Sequence, residues 1–362
     1  MKSITVKTHP NPYPVRVGSG LLEKIPGFTA KALGKGRRCV VVTDSYLARS
    51  LGRQVEASFR KAGWTVEGYS LPRGEAAKSF SALERFYGFL LRRKVERRTP
   101  IIAVGGGTVG DAAGFAAATF YRGVPLVHVP TTLLAQVDSA IGGKTAVNHE
   151  LAKNAVGAFY QPNLVVCDSS VLKSLPRRDF LSGLGEVVKY ALVFDPAFAK
   201  RLRVDWLRVL QKEESALESV VARCARLKGG IVAEDTRDLS GKRELLNFGH
   251  TLGHALESAA GYGKIRHGEA VAWGMRGAVE ISKGRGWLRD ATLLDGLLGL
   301  LPKVRVPRGI SRKKLLAPLG RDKKAKNGRN VFVLLKALGR PVRVDDVSRA
   351  EIERALDAVE AS

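Results

Sequence analysis

Ile101-Ile102-Ala103-Val104-Gly105-Gly106-Gly107-Thr108-Val109-Gly110-Asp111 is the stretch whose reading decides the fold. A short apolar run reads as a strand, the glycines break it, and an alanine-rich helix follows. Glycines at a strand-to-helix turn let the backbone close on a diphosphate, while the helix start offers unpaired N–H groups and the positive end of its dipole. Gly105, Gly107 and Gly110 fit G-x-G-x-x-G, but the confirming acid about twenty residues on is absent, because the next strand ends at Pro130-Thr131-Thr132. Asp44, closing the run Cys39 to Thr43, offers another ribose acceptor at the sheet edge. Its plain alternative is a helix N-cap.

Outward from this stretch, β-branched runs alternate with amphipathic ones as far as Asp168: Ile4 to Thr8, Cys39 to Asp44, Thr65 to Leu71, Pro100 to Val104, Val124 to Pro130 and Leu164 to Asp168. Such alternation predicts a layered, Rossmann-like α/β domain with a largely parallel sheet. After Asp179 the pattern turns helical almost throughout, as in Phe180 to Phe194, Glu213 to Lys228 and Glu269 to Gly284. An all-α second domain is expected, with the hinge at Leu172-Lys173-Ser174-Leu175-Pro176-Arg177, so that the domains span 1–175 and 176–362. Between them in sequence, Pro130 to His149 is dense in glycine and small polar residues and carries Asp138 and Lys144. It reads as a ligand-lining loop against an ordinary glycine-rich turn.

At 362 residues and 45% hydrophobic, the chain can bury real cores. No stretch reads as a signal peptide or membrane span, so the cytoplasm is the default and no membrane partner is expected. Cys39, Cys167 and Cys224 are odd in number and set in apolar surroundings, which argues against disulfides and thiolate metal sites. The net charge of +26 admits either a polyanion or small anionic ligands. Lys and Arg are spread through the chain, with no aromatic-interleaved basic stripe, so no specific nucleic-acid partner is expected.

Of the six histidines, His250, His254 and His267 fall within eighteen residues, framed by Gly249, Gly253 and Gly268. Imidazole is the commonest metal ligand and titrates near neutrality. His250 and His254, four apart, share one face of a helix, and His267 returns from a following loop or helix start. One such histidine would pass as a satisfied core residue; three together indicate a metal or proton-transfer site.

Gly105 to Asp111, Pro130 to His149, Gly185-Glu186-Val187-Val188-Lys189-Tyr190, Leu246 to His254 and His267-Gly268-Glu269-Ala270-Val271 resemble, in order and spacing, the successive signatures of the 3-dehydroquinate synthase family. The likeness runs from Asp44 to Arg321-Asp322-Lys323-Lys324. It implies a lyase of the shikimate pathway of aromatic amino acid biosynthesis, which converts 3-deoxy-D-arabino-heptulosonate 7-phosphate to 3-dehydroquinate and phosphate. The implied route is transient oxidation by NAD, phosphate elimination, re-reduction and intramolecular aldol closure, with a divalent metal, zinc or cobalt, in a homodimer.

Carried over residue by residue, the resemblance makes Glu186, His250 and His267 the metal ligands. It places Asp44, Glu75, Lys78, Gly106, Gly107, Asp111, Thr131, Thr132, Asp138, Lys144 and Lys153 around the dinucleotide. Asp138, Lys144, Asn154, Lys189, Lys228, Arg243, Asn247 and His254 would face the substrate, with Arg122, Lys323 and Lys324 as further anion contacts. Without the resemblance, Glu186 and Lys189 would pass for a surface ion pair on a helix. Other readings are a sister sugar-phosphate cyclase and a metal-dependent polyol dehydrogenase, which would release NADH.

Overall fold

A computed structural model describes all residues except Lys35, Tyr262, Arg289, Arg305, Arg308, Pro318, 320–329 and Ser362. The chain forms two compact units, Met1–Leu175 with Lys212–Arg237, and Pro176–Gln211 with Asp238–Ser362. Here the structure departs from the two-segment division expected, because the second half lends a helix to the first unit.

The first unit is built on seven strands: β1 (Lys2–Val6), β2 (Tyr13–Gly18), β3 (Arg38–Asp44), β4 (Thr65–Leu71), β5 (Ile101–Gly105), β6 (Leu126–Pro130) and, after the hairpin of β7 (Lys144–His149) and β8 (Ala152–Phe159), β9 (Leu164–Asp168). Their order is β1-β2-β9-β6-β5-β3-β4, and every pairing is parallel except β1 with β2. Strands β5, β6 and β9 are buried at every residue, whereas edge strands β1 and β4 alternate or lie half open. A parallel strand covered on both faces must be apolar throughout, and burying each Val or Ile contributes about 1.5–3 kcal/mol.

Strand order reverses between β3 and β5, since the chain passes from β3 outward to β4 and then back to the other side of β3. The crevice beyond the carboxyl ends at such a reversal is where open α/β sheets bind ligands. Asp44 ends one of these strands and Gly105 the other. The borrowed helix, Glu214–Glu234, lies against β1 and β2 with Gly229 close to Val6, where a Cβ would sit 3.1 Å from Val6 Cγ2.

The second unit is helical, as expected, with one added hairpin, β10 (Phe332–Ala337) with β11 (Arg340–Val344). Three of its helices matter for the site: Arg177–Phe194, His250–Ala260 and His267–Gly284. Two glycines set their spacing. A Cβ on Gly268 would lie 1.7 Å from Ser182 O, and one on Gly249, at φ +79°, would lie 2.7 Å from Met275 N. Only glycine permits these approaches. Cys39, Cys167 and Cys224 are buried and form no disulfide among the described residues, in which no helix is long and apolar enough to cross a membrane.

Candidate functional site

In the first unit the glycine turn leads into the helix Gly107–Thr119, and no side chain caps its start. The turn is closely lined. A Cβ on Gly106 would meet Thr132 Cγ2 at 3.1 Å, and one on Gly107 would meet Ser139 Oγ at 3.1 Å. An uncapped helix start bordered by a backbone without side chains suits a diphosphate. Asp44 Oδ1 accepts from the N–H groups of Tyr46 and Leu47 at 2.9 and 3.0 Å, closing a local turn rather than capping a helix, since the next helix, Ala48–Gly52, begins after Leu47 with no side-chain cap. Thr131 is buried, and Thr132 Oγ1 accepts from Ala135 N at 3.2 Å.

Beside this turn the charges are paired within the unit. Buried Lys78 donates to Asp111 Oδ2 at 2.6 Å and also to Asn154 Oδ1. Glu75 accepts from Asn148 at 2.7 Å and faces Lys153 Nζ at 3.4 Å. Lys228, on the borrowed helix, donates to Asp138 Oδ1 at 2.6 Å and to its main-chain O at 2.8 Å. Lys144 is exposed at the start of β7. Arg122 is not brought here: it follows the far end of the 13-residue helix Gly107–Thr119, which spans about 20 Å. Its backbone is left-handed, at φ +60°.

In the second unit the Glu186 carboxylate is fully buried and forms an ion pair with the equally buried Lys189 one turn on. Two imidazoles face the same carboxylate. His250 Nε2 lies 3.6 Å and His267 Nε2 3.5 Å from Glu186 Oε1. These separations exceed a good hydrogen bond but match the edge of a tetrahedron about an ion held at about 2.1 Å, where donors stand about 3.4 Å apart. One donor atom from each of the three residues falls within 4.8 Å of the others, so the set fits a divalent metal. The far ring nitrogens are also held, His250 Nδ1 by Phe248 O at 3.3 Å and His267 Nδ1 by Glu257 Oε2 at 3.3 Å.

The electrostatics of the two rings differ. Burial, reinforced by the Lys189 ammonium, drives His250 well below its ordinary value. Burial also acts to lower His267, but the carboxylates of Glu186 and Glu257, one beside each ring nitrogen, outweigh it and push the ring up to about 10. A site that draws a positive charge onto an imidazole offers the same field to a metal cation. His254 is exposed, with its ring 5.3 Å from that of His250 and 5.8 Å from that of His267. Arg243 is buried and Asn247 half-buried in the turn Lys242–Asn247, while Lys323 and Lys324 lie outside the described residues. Glu257 was not among the residues singled out from sequence, although it stands seven after His250 on the same helical face.

Residues 68–182 match the family profile described as 3-dehydroquinate synthase N-terminal, and residues 183–325 match that described as 3-dehydroquinate synthase C-terminal. The chain belongs to the 3-dehydroquinate synthase family. It is 44% identical over 351 residues to the 3-dehydroquinate synthase of Symbiobacterium thermophilum, covering 96% of this chain and 98% of that one. Among solved structures it resembles a 2-deoxy-scyllo-inosose synthase complexed with carbaglucose-6-phosphate, NAD+ and Co2+, with TM-score 0.88, 26% identity and 98% and 99% of the two chains covered. It also resembles 2-epi-5-epi-valiolone synthase from Streptomyces hygroscopicus with NAD+ and Zn2+ bound, with TM-score 0.86, 29% identity and 96% and 97% covered.

Proposed function

We propose that this protein is a cytoplasmic, homodimeric 3-dehydroquinate synthase that converts 3-deoxy-D-arabino-heptulosonate 7-phosphate to 3-dehydroquinate and phosphate. The observation that carries this reading is the buried Glu186 with two imidazole nitrogens at tetrahedral-edge distance, in a chain whose residues 68–325 match the family profiles and whose relatives align over 96–97% of it. Glu186, His250 and His267 would hold zinc or cobalt, and the uncapped Gly106-Gly107 turn with Lys78, Asp111, Thr131, Thr132, Glu75, Lys153 and Asp44 would hold NAD. When bound, the metal supplies a Lewis acid for a substrate hydroxyl, and NAD supplies an acceptor and then donor of hydride.

The chain's own groups do the remaining work. Lys189 is fixed by Glu186 and by the ring of Tyr190, whose centroid lies 4.9 Å from Nζ, so its ammonium meets an anionic substrate without first being ordered. Asp138 does the same for Lys228. With Lys144, Asn154, Arg243 and Asn247, these cations and amides would hold the carboxylate and phosphate and stabilise charge as phosphate leaves. His254, exposed beside the rings of His250 and His267, would serve proton transfer to the substrate. Arg122, about a helix length from its own glycine turn, would add a further anion contact. Clustered small-anion sites also account for basic residues without any specific nucleic-acid partner.

Relatives at 40% identity and above carry the dehydroquinate name, whereas the sister cyclases stand at 26% and 29%. The test follows phosphate and NADH together while the enzyme is given 3-deoxy-D-arabino-heptulosonate 7-phosphate, glucose 6-phosphate and sedoheptulose 7-phosphate in parallel. Phosphate release from the first sugar with sub-stoichiometric NAD and no accumulating NADH is expected. Preference for either other sugar would sink the dehydroquinate assignment, and steady NADH formation without phosphate would leave a polyol dehydrogenase.

A further inference from the structure

The carboxylate of Glu257 has no place in the chemistry above, yet it closes one side of the imidazole group. Its Oε2 lies 3.3 Å from His267 Nδ1, and its side chain is only 16% exposed. His250, His254 and Glu257 are spaced by four and then three residues, so they form one stripe along the helix His250–Ala260. His267 therefore lies between two acids, Glu186 at Nε2 and Glu257 at Nδ1. His250 differs, since its Nδ1 meets the main-chain O of Phe248 rather than a carboxylate among the described residues.

We propose that Glu257 is a positioning residue for His267. By accepting from Nδ1–H it fixes the tautomer in which Nε2 carries the lone pair, holds the ring plane toward Glu186, and makes that nitrogen a stronger donor than a carbonyl partner would. The second histidine of the cluster thus owes its aim to a side chain rather than to the backbone, so a single substitution can loosen one ligand while leaving the other two in place. The inference rests on the metal reading of Glu186, His250 and His267. A competing arrangement is that Glu257, His254 and His267, whose donor atoms also lie within 4.8 Å of one another, take up a second cation themselves.

Zinc and cobalt binding to the metal-stripped full-length protein separates these cases, with stoichiometry, dissociation constant and the visible spectrum of the cobalt form as readouts. Wild type should bind one ion per chain. Glu257→Ala should weaken zinc roughly 10- to 100-fold, with an altered cobalt spectrum and the circular dichroism of the metal-free protein unchanged. Glu257→Gln, which keeps an acceptor oxygen without the charge, should fall between the two, and it serves as the reading if the alanine variant fails to fold. Wild-type affinity and spectrum in both variants would overturn the positioning role while leaving the metal site standing. Two ions in wild type and one tightly held ion in the variants would overturn it in favour of the second cation. No metal binding by wild type would remove the underlying reading as well.

Discussion

In the first unit each buried or half-buried cation near the glycine turn lies against an acid of the same unit: Lys78 against Asp111, Lys153 against Glu75, Lys228 against Asp138. In the second, one buried acid, Glu186, faces a lysine and two imidazoles at once, and one of those imidazoles faces a further acid. The first arrangement is balanced pair by pair, so a ligand meets a preset surface of backbone N–H groups and oriented charges. The second is balanced only as a group. Removing a single carboxylate or ring there changes what the remaining groups demand, and a buried ion without its partner costs several kcal/mol. Substitutions should therefore act steeply in the second cluster and gradually in the first.

The largest effect is expected at His267. His267→Ala removes one of three donors, so the protein should lose most of its bound metal. Its kcat/KM should fall ~10³-fold or more, as the loss of several kcal/mol of transition-state stabilisation requires. The fold should persist, because the start of the His267–Gly284 helix is also held by Arg178, which grips Glu269 through two hydrogen bonds of 2.7 and 2.8 Å. Elemental analysis finding full metal occupancy in this variant would dismiss the ligand assignment and, with it, the contrast between the clusters.

A middle-sized effect should follow from Lys78→Ala. Asp111 would keep its partly buried carboxylate and lose its ammonium partner, which should lower unfolding stability by about 1–3 kcal/mol and raise the NAD dissociation constant roughly tenfold. Zinc affinity should not change. Calorimetric titration with NAD and with zinc checks both halves of this expectation. A parallel loss of zinc would break the comparison, because the clusters would then be one energetic unit.

How much of this was legible in the sequence depends on the range of the interaction. Strands β3, β5, β6 and β9 could be read because a strand buried on both faces must be apolar along its whole length, and the half-open edge strand β4 because it is short and bounded by turn residues. Strand β2 was hidden by Pro12 and Pro14; Pro14 lies where only the antiparallel edge pairing reaches, since the parallel ladder to β9 begins at Val15. The hairpin of β7 and β8 was read as a loop because its glycines and polar residues outweigh its β-branched ones. Periodicity placed Glu213 to Lys228 on a helix but could not say which unit that helix would join, since an amphipathic stripe does not name its partner.

The site shows the same division. Histidine spacing announced a cluster, yet nothing in a Glu-x-x-Lys pattern distinguishes a solvated pair from the fully buried Glu186 and Lys189. Glu257 was within reach, since a third polar residue at the right interval on the His250 and His254 face is a spacing signal. Arg122 was not, because its distance from the glycine turn follows from the length of the helix between them.

The smallest effect tests the periphery of the second unit, where half-buried Arg285 pairs with Glu351 and with exposed Asp346. Glu351 Oε1 accepts from Arg285 Nε at 2.6 Å, and Oε2 accepts from Ser348 N and Oγ at 2.8 Å each. The Arg285 guanidinium, followed by the Ser348 donors, pulls the Glu351 carboxyl from 4.5 down to about 2. A carboxyl whose folded value is depressed favours folding once pH exceeds the unfolded value, and that contribution fades as pH falls toward the folded one. Glu351→Gln should therefore cost about 1 kcal/mol at neutral pH, the upper end for a pair at the protein surface. The difference from wild type should shrink between pH 4.5 and 2 and vanish below. Denaturant melts of both proteins across that range decide the matter. A cost that stays constant down to pH 2 would mean that Glu351 stabilises by packing alone, and that the guanidinium beside it contributes nothing through its charge.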